Sequence, residues 1–164
     1  MDANTETLQT LVVDMDNTLI HAYPRWYSGA EEEIPHNTDY KCVKTELWII
    51  FVNHVLVALI KAARLKSIKT VLWTHSNERY MSEILEACKL EDLFDTKLNC
   101  DNVHGYKKIL RCHPDKIIGK ALIIDDTKNK IDENRPDEYL VVEDFMELAP
   151  TVLEQEYFPV YTIL

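Results

Sequence analysis

Leu11-Val12-Val13-Asp14-Met15-Asp16-Asn17-Thr18-Leu19-Ile20-His21 is the stretch whose reading decides the fold. The aliphatic and β-branched run at its start reads as a buried strand. The run ends on two acids, Asp14 and Asp16, with Thr18 behind them. Open α/β sheets bind their ligands at the carboxyl ends of their strands. On an ideal strand, residues two apart share a face. The chain leaves the strand here, so both acids are expected to line one crevice in different orientations. Neighbouring carboxylates repel unless a cation or a proton sits with them, which makes a divalent metal the first expectation.

Two further stretches read as buried strands and end in the same manner. Lys69 to Trp73 leads into Thr74-His75-Ser76, and Ala121 to Ile124 leads into Asp125-Asp126. Leu8 to Asp14 is then the first strand and Tyr139 to Val142 another, with a short strand-like piece from Phe94 to Cys100. Between them lie helical patterns. Asn53 reads as the N-cap of a helix running through Lys66, with Val55, Leu56, Leu59, Ile60 and Ala63 at helical spacing. Ser76 or Asn77 caps a second helix, about 77–89, whose inner stripe is Tyr80, Met81, Ile84, Leu85 and Cys88. Alternating strands and helices define an α/β class with a mainly parallel sheet.

The segment from Tyr23 to Asp39 is irregular, with Pro24, Gly29, Pro35 and three successive glutamates from Glu31 to Glu33. A loop of that length in a compact domain is usually functional. Tyr40 to Phe51 has strand character and is expected to form a small hairpin over the crevice, completing an insert of about 22–51. Trp26, Tyr27 and Tyr40 either line a substrate groove or pack this insert. Near the end, Phe145 to Leu153 reads as a helix broken at Pro150. The apolar residues from Tyr157 to Leu164 either pack on the domain or lead into a further segment.

The 164 residues fit one domain. The excess of 28 acidic over 18 basic residues, a net charge of −10, argues against general nucleic-acid or anionic-membrane binding. It leaves room for a local basic pocket that takes a phosphate. The longest apolar run, Leu47 to Ile60, is interrupted by Asn53 and His54 and does not suit a membrane span. Met1 to Thr10 is polar and acidic, unlike a signal peptide. None of the four cysteines stands in a Cys-x-x-Cys pair, so free thiols in a cytoplasmic protein are expected.

In a parallel sheet the strand ends lie along one edge, so Asp14, Asp16, Thr74, Asp125 and Asp126 converge there. Lys107 or Lys108 joins them from between the second and third strands. Carboxylates with retained water suit Mg²⁺; Mg²⁺ together with an ammonium suits a phosphate dianion. A carboxylate attacks a phosphate ester only when the charge between them is neutralised. The attack forms an acyl-phosphate that water later hydrolyses, and a second acid must protonate the departing alkoxide and then deprotonate the water. Asp14 as nucleophile and Asp16 as acid/base supply those roles.

Asp14-Met15-Asp16-Asn17-Thr18 resembles the Asp-x-Asp-x-Thr signature of the haloacid dehalogenase superfamily of phosphohydrolases. His21, Trp73-Thr74-His75-Ser76, Tyr80, Tyr106-Lys107-Lys108 and Leu122-Ile123-Ile124-Asp125-Asp126 resemble one branch of it. That branch holds phosphatases of the RNA polymerase II C-terminal domain, and the likeness covers about residues 8–146. The resemblance implies a Rossmann-like three-layer α/β/α fold with a small β flap after the first strand. It also implies roles: Asp14 as nucleophile and metal ligand, Asp16 as acid/base and, through its backbone oxygen, metal ligand. Thr74 and Lys108 would bind phosphate, with Lys107 as the alternative lysine. Asp126, supported by Asp125, would complete the Mg²⁺ site.

The chain also departs from that branch. Val52-Asn53-His54 replaces an Arg-Pro-His before the first core helix, and the polar Asn77 follows the second motif. The expected activity is hydrolysis of a phosphoserine, phosphothreonine or phosphotyrosine ester in a phosphorylated protein or peptide. A small-molecule phosphomonoesterase of the same mechanism and a non-catalytic binding module of the same fold are the alternatives. Other phosphate chemistries lack their motifs: there is no Gly-x-x-x-x-Gly-Lys loop, and no cysteine is followed six residues later by arginine. A response-regulator receiver places its lysine last, whereas here Asp125-Asp126 follow the lysines.

Overall fold

A computed structural model describes residues 7–25 and 39–164. Five parallel strands form the main sheet: β1 (Thr10–Val13), β5 (Lys69–Trp73), β6 (Thr96–Leu98), β7 (Ala121–Asp125) and β8 (Tyr139–Val141). Their order across the sheet is β6-β5-β1-β7-β8, so β1 lies at the centre. Val13 stands opposite Leu72 on one side and Ile124 on the other. That register brings Asp14 level with Trp73 and Asp125, and the polar residues after three strands meet at one edge.

The two-residue period of the strands sorts the core into two layers. Leu11, Val13, Leu72, Leu122 and Ile124 face one way, into the cluster that contains Leu56, Leu59, Ile84 and Tyr157. Val12, Val71, Trp73 and Ile123 face the other way, against Leu110, Ile117 and Ile131. Helices α1 (His54–Leu65), α2 (Glu78–Cys88) and α4 (Pro150–Tyr161) supply the first layer, and the short α3 (Lys128–Ile131) belongs to the second. No helix among the described residues is long and apolar enough to cross a membrane.

Asn53 caps α1 as expected, its side chain accepting from the Leu56 amide. Its buried amide group also donates to the Thr18 carbonyl at 2.8 Å and to the Tyr157 hydroxyl at 3.1 Å. One side chain thus ties the loop of acids to both α1 and α4. Asn77 is the cap of α2, bonding the Tyr80 amide.

The insert is a second sheet, antiparallel and three-stranded, in the order β2-β4-β3. Its strands are β2 (Ile20–Pro24), β3 (Lys41–Lys44) and β4 (Trp48–Val52). The expected hairpin is β3–β4. The third strand, β2, pairs Ile20 with Val52 and Pro24 with Trp48, where irregular chain was expected from Tyr23 onward. The flap is therefore rooted at both ends, beside the acid loop and beside the Asn53 cap. Tyr40 is buried, donates to the Leu148 carbonyl at 2.9 Å and packs edge-on to Phe145. Trp26, Tyr27, Gly29, Glu31 to Glu33 and Pro35 lie outside the described residues.

One expectation near the end is corrected. Pro150 does not break a helix but opens α4 at its first position, where a missing N–H costs nothing. Only a single 3-10 turn, Phe145–Glu147, precedes it. The tail packs on the domain: Tyr157 and Val160 are buried, and the Leu8 amide bonds the Ile163 carbonyl at 3.2 Å.

Candidate active site

The acids sit on a tight turn. The Met15 carbonyl accepts from the amides of Leu19 and Ile20 at 2.9 and 3.0 Å. Asn17 takes a left-handed φ of 65°, a conformation asparagine tolerates better than most residues. The turn folds Thr18 back so that its hydroxyl lies 3.1 Å from Asp14 Oδ2 and 3.3 Å from Asp126 Oδ1. Asp14 itself is 3% exposed.

Lys108 is fully buried, and its Nζ lies 2.7 Å from Asp14 Oδ1 and 2.7 Å from Asp125 Oδ2. Burial opposes its charge, but the two carboxylates outweigh that and raise its pKa. Asn134, also buried, fixes the backbone here. It donates to the Lys108 carbonyl at 2.8 Å and accepts from the Leu110 amide at 2.9 Å. Lys107 points elsewhere, pairing with Asp132 at 2.8 Å and with the Asn129 carbonyl. Of the two lysines, the geometry brings Lys108 to the acids.

Asp125 and Asp126 follow from β7. Asp125 is fully buried, and its second oxygen accepts from the Thr127 amide at 2.9 Å. Carboxylate oxygens of Asp14, Asp125 and Asp126 lie within 4.8 Å of one another. Among the described residues, this is the one group of three such side chains close enough to share an ion. With all three ionised, the carboxylates outnumber the one ammonium by two negative charges. Asp126 carries the strain: burial, then the bond and charge of Asp14 and the charge of Asp125, push it up to about 8. Asp125 is raised as well, by burial and by Asp14. Hard oxygen donors with two surplus negative charges fit a divalent cation of the Mg²⁺ type.

Asp16 occupies a different environment. Its carboxylate accepts from the Tyr80 hydroxyl at 2.9 Å and from the Ser76 hydroxyl at 3.1 Å, and is not among the three clustered acids. Burial raises its pKa, against the lowering effect of those two bonds. Asp14 goes the other way. Burial would raise it, but the Lys108 charge and hydrogen bond hold it below the usual carboxylate range. Two acids two residues apart thus have pKa values driven in opposite directions.

Thr74 is buried at the end of β5, its hydroxyl accepting from the Ser76 amide at 3.1 Å. His75 follows, with Nε2 2.9 Å from the Tyr106 carbonyl. The sequence assigned none of Thr18, Ser76, Tyr80 and Asn134 to the site; Ser76 reads there as an alternative helix cap and Tyr80 as part of a helix's inner stripe. Thr18 and Tyr80 stood within the quoted motifs. Asn134 had no signal, since a single polar residue far along the chain looks like any loop asparagine.

The profile of the NLI interacting factor-like phosphatase family matches residues 9–160. The chain belongs to that family of phosphatases, within the haloacid dehalogenase fold. Solved structures show the same fold. A fission yeast RNA polymerase II CTD phosphatase, Fcp1-R271A bound to beryllium fluoride, superposes with a TM-score of 0.58 at 18% identity. The match covers 95% of this chain and 50% of that one. A second structure of Fcp1, described as an essential RNA polymerase II CTD phosphatase, gives 0.60 at 20% identity, covering 94% and 48%. The chain therefore spans about half the length of these relatives. No curated protein matches the chain in sequence.

Proposed function

We propose that the chain is a Mg²⁺-dependent phosphoprotein phosphatase working through an aspartyl-phosphate on Asp14. The observation that carries this reading is the divergence of the two acids. Pairs of carboxylates whose environments push their pKa values apart are how one site holds a base or nucleophile beside an acid. Asp14, kept ionised by Lys108, attacks phosphorus, and the bond from phosphorus to the ester oxygen breaks. Asp16, desolvated and tending to hold its proton, gives that proton to the departing alkoxide. Asp16 then takes a proton from water as the water attacks the acyl-phosphate, releasing phosphate and restoring Asp14.

Lys108 and the Thr74 hydroxyl would bind the phosphoryl oxygens. Asp14, Asp125 and Asp126, with the Asp16 backbone carbonyl, would hold the cation, which supplies charge neutralisation between nucleophile and phosphate. Tyr80 and Ser76 keep Asp16 turned away from those three. A phosphorylated protein or peptide as substrate is supported by the flap beside the acid loop and by the Fcp1 relatives, which are described as CTD phosphatases. The test is hydrolysis of para-nitrophenyl phosphate with Mg²⁺. Activity lost on chelation and in Asp14→Asn is expected; a rate untouched by both rejects the mechanism. A panel of phosphopeptides, sugar phosphates and nucleotides then settles the substrate class. Faster turnover of the small molecules rejects the phosphoprotein reading.

A further inference from the structure

Resting on the phosphatase reading, we propose that Lys130 is a second phosphate-binding cation, held at the mouth of the site over the Tyr106 ring to take a phosphoryl oxygen of the substrate.

Lys130 lies on α3, just after Asp125-Asp126-Thr127. Its backbone carbonyl accepts from the Lys108 amide at 2.8 Å, so its position is locked to that of the buried site lysine. Its Nζ stands 5.6 Å from the centre of the Tyr106 ring, within cation–π range. Tyr106 is fixed in turn by His75, whose ring packs at 5.4 Å and whose Nε2 meets the Tyr106 carbonyl. The residue after Thr74, the turn before Lys108 and the helix after Asp126 thus meet in one stack, His75–Tyr106–Lys130.

Among the described residues the charge on this stack has no counter-ion. Lys107 pairs with Asp132 and Lys108 with Asp14 and Asp125, but among the described residues no carboxylate pairs with Lys130. Lys130 is nevertheless close enough to act on the acids. Burial comes first at both Asp14 and Asp16, and the Lys130 ammonium adds a lowering influence at each. At His75, burial is joined by Lys108 and Lys130 in depressing the imidazole.

A phosphate dianion entering this site meets Asp14, Asp16, Asp125 and Asp126. With Asp16 protonated, Lys108 and a divalent cation together still cannot balance three carboxylates and a dianion. A further ammonium within electrostatic reach lowers the cost of bringing the anion in. One already bonded to a carboxylate would first have to break that bond. Lys130 has no such bond to break, and the aromatic ring holds its direction without neutralising it.

The experiment compares wild type, Lys130→Met and Lys130→Arg, with Lys61→Ala on the exposed face of α1 as control for general charge. Steady-state kinetics on para-nitrophenyl phosphate and calorimetric binding of inorganic phosphate, both with Mg²⁺, are the readouts. Methionine keeps the bulk over Tyr106 and removes the charge, and circular dichroism verifies folding. Loss of one charged hydrogen bond predicts a rise of about tenfold in KM and in the phosphate Kd, with kcat much less affected. Arginine should restore most of the affinity, and Lys61→Ala should change neither constant. KM and Kd within twofold of wild type in Lys130→Met overturn the proposal. So does a fall in kcat with KM unchanged, which would mark Lys130 as a support for Lys108. Should Lys130→Met not fold, Lys130→Gln is read by the same criteria. If wild type hydrolyses nothing, the phosphatase reading fails, and the phosphate Kd alone decides on Lys130.

Discussion

The main sheet and the flap are built by opposite rules. In the main sheet both faces are covered, and the register of β1 against β5 and β7 carries the acids to one edge. Charge is buried there at high cost and must be matched atom by atom, as Lys108 does for Asp14 and Asp125. In the flap, β4 is mostly buried, whereas β3 leaves Lys41, Cys42 and Lys44 exposed. A single change in the first region should stop chemistry or unfold the protein. A change in the second should alter which substrate is accepted.

Asp14→Asn is the largest expected effect: a loss of about 1000-fold or more in kcat, since the proposed nucleophile is removed. Lys108→Met should come next. It leaves Asp14 and Asp125 buried without their counter-charge, and urea unfolding should report a loss of about 3 kcal/mol or more. Added Mg²⁺ should restore part of that stability but not the activity.

The raised pKa of Asp126 gives a pH signature of the main-sheet edge alone. Its folded-state value of about 8 lies above the ordinary 3.8, so the native state without metal holds a proton that the unfolded chain has released. Stability without metal should therefore fall as pH rises from about 4 to about 8 and then level off. Mg²⁺ binding expels that proton, so the gain in Tm on adding Mg²⁺ should be larger at pH 8 than at pH 6. A gain independent of pH would mean that the clustered acids are not the ligands.

Tyr80→Phe probes the border between the two regions. The lost hydroxyl bond stabilises the Asp16 carboxylate, so the limb of the pH–rate profile that Asp16 controls should move to higher pH. The smallest effect is expected from Trp48→Ala in β4. Trp48 packs edge-on to Tyr80 with ring centres 5.3 Å apart. Its removal should raise KM for a phosphopeptide by about threefold, within the range of an aromatic contact, and change para-nitrophenyl phosphate less. An equal effect on both substrates would erase the distinction between chemistry and selection.

The same contrast governs what could be read from the sequence. β1, β5 and β7 were legible because each carries a short apolar stretch, Leu11-Val12-Val13, Val71-Leu72-Trp73 and Ala121 to Ile124, that stops at polar residues. Asn53 and Asn77 were legible as caps, since each precedes a helical apolar stripe. β2 was not, because Ile20 to Pro24 carries a histidine and a proline and gains its order from Val52, 32 positions from its partner Ile20. Pro150 was misread because a proline that starts a helix and one that breaks it look alike until the cap is known. In the site, the convergence of Asp14, Asp125 and Asp126 followed from parallel strands alone. The separation of Asp16 by Tyr80 and Ser76, and the Asn134 clamp behind Lys108, depend on side-chain directions that no spacing encodes.

Asn53 bears on how the protein is made. Its amide joins Thr18, on the turn that carries the acids, to Tyr157 in the last helix. A chain emerging from the ribosome exposes Asp14 and Asp16 early, yet the turn beneath them lacks this support until residue 157 is free to dock. The nascent protein therefore carries the proposed nucleophile long before the turn beneath it gains this support.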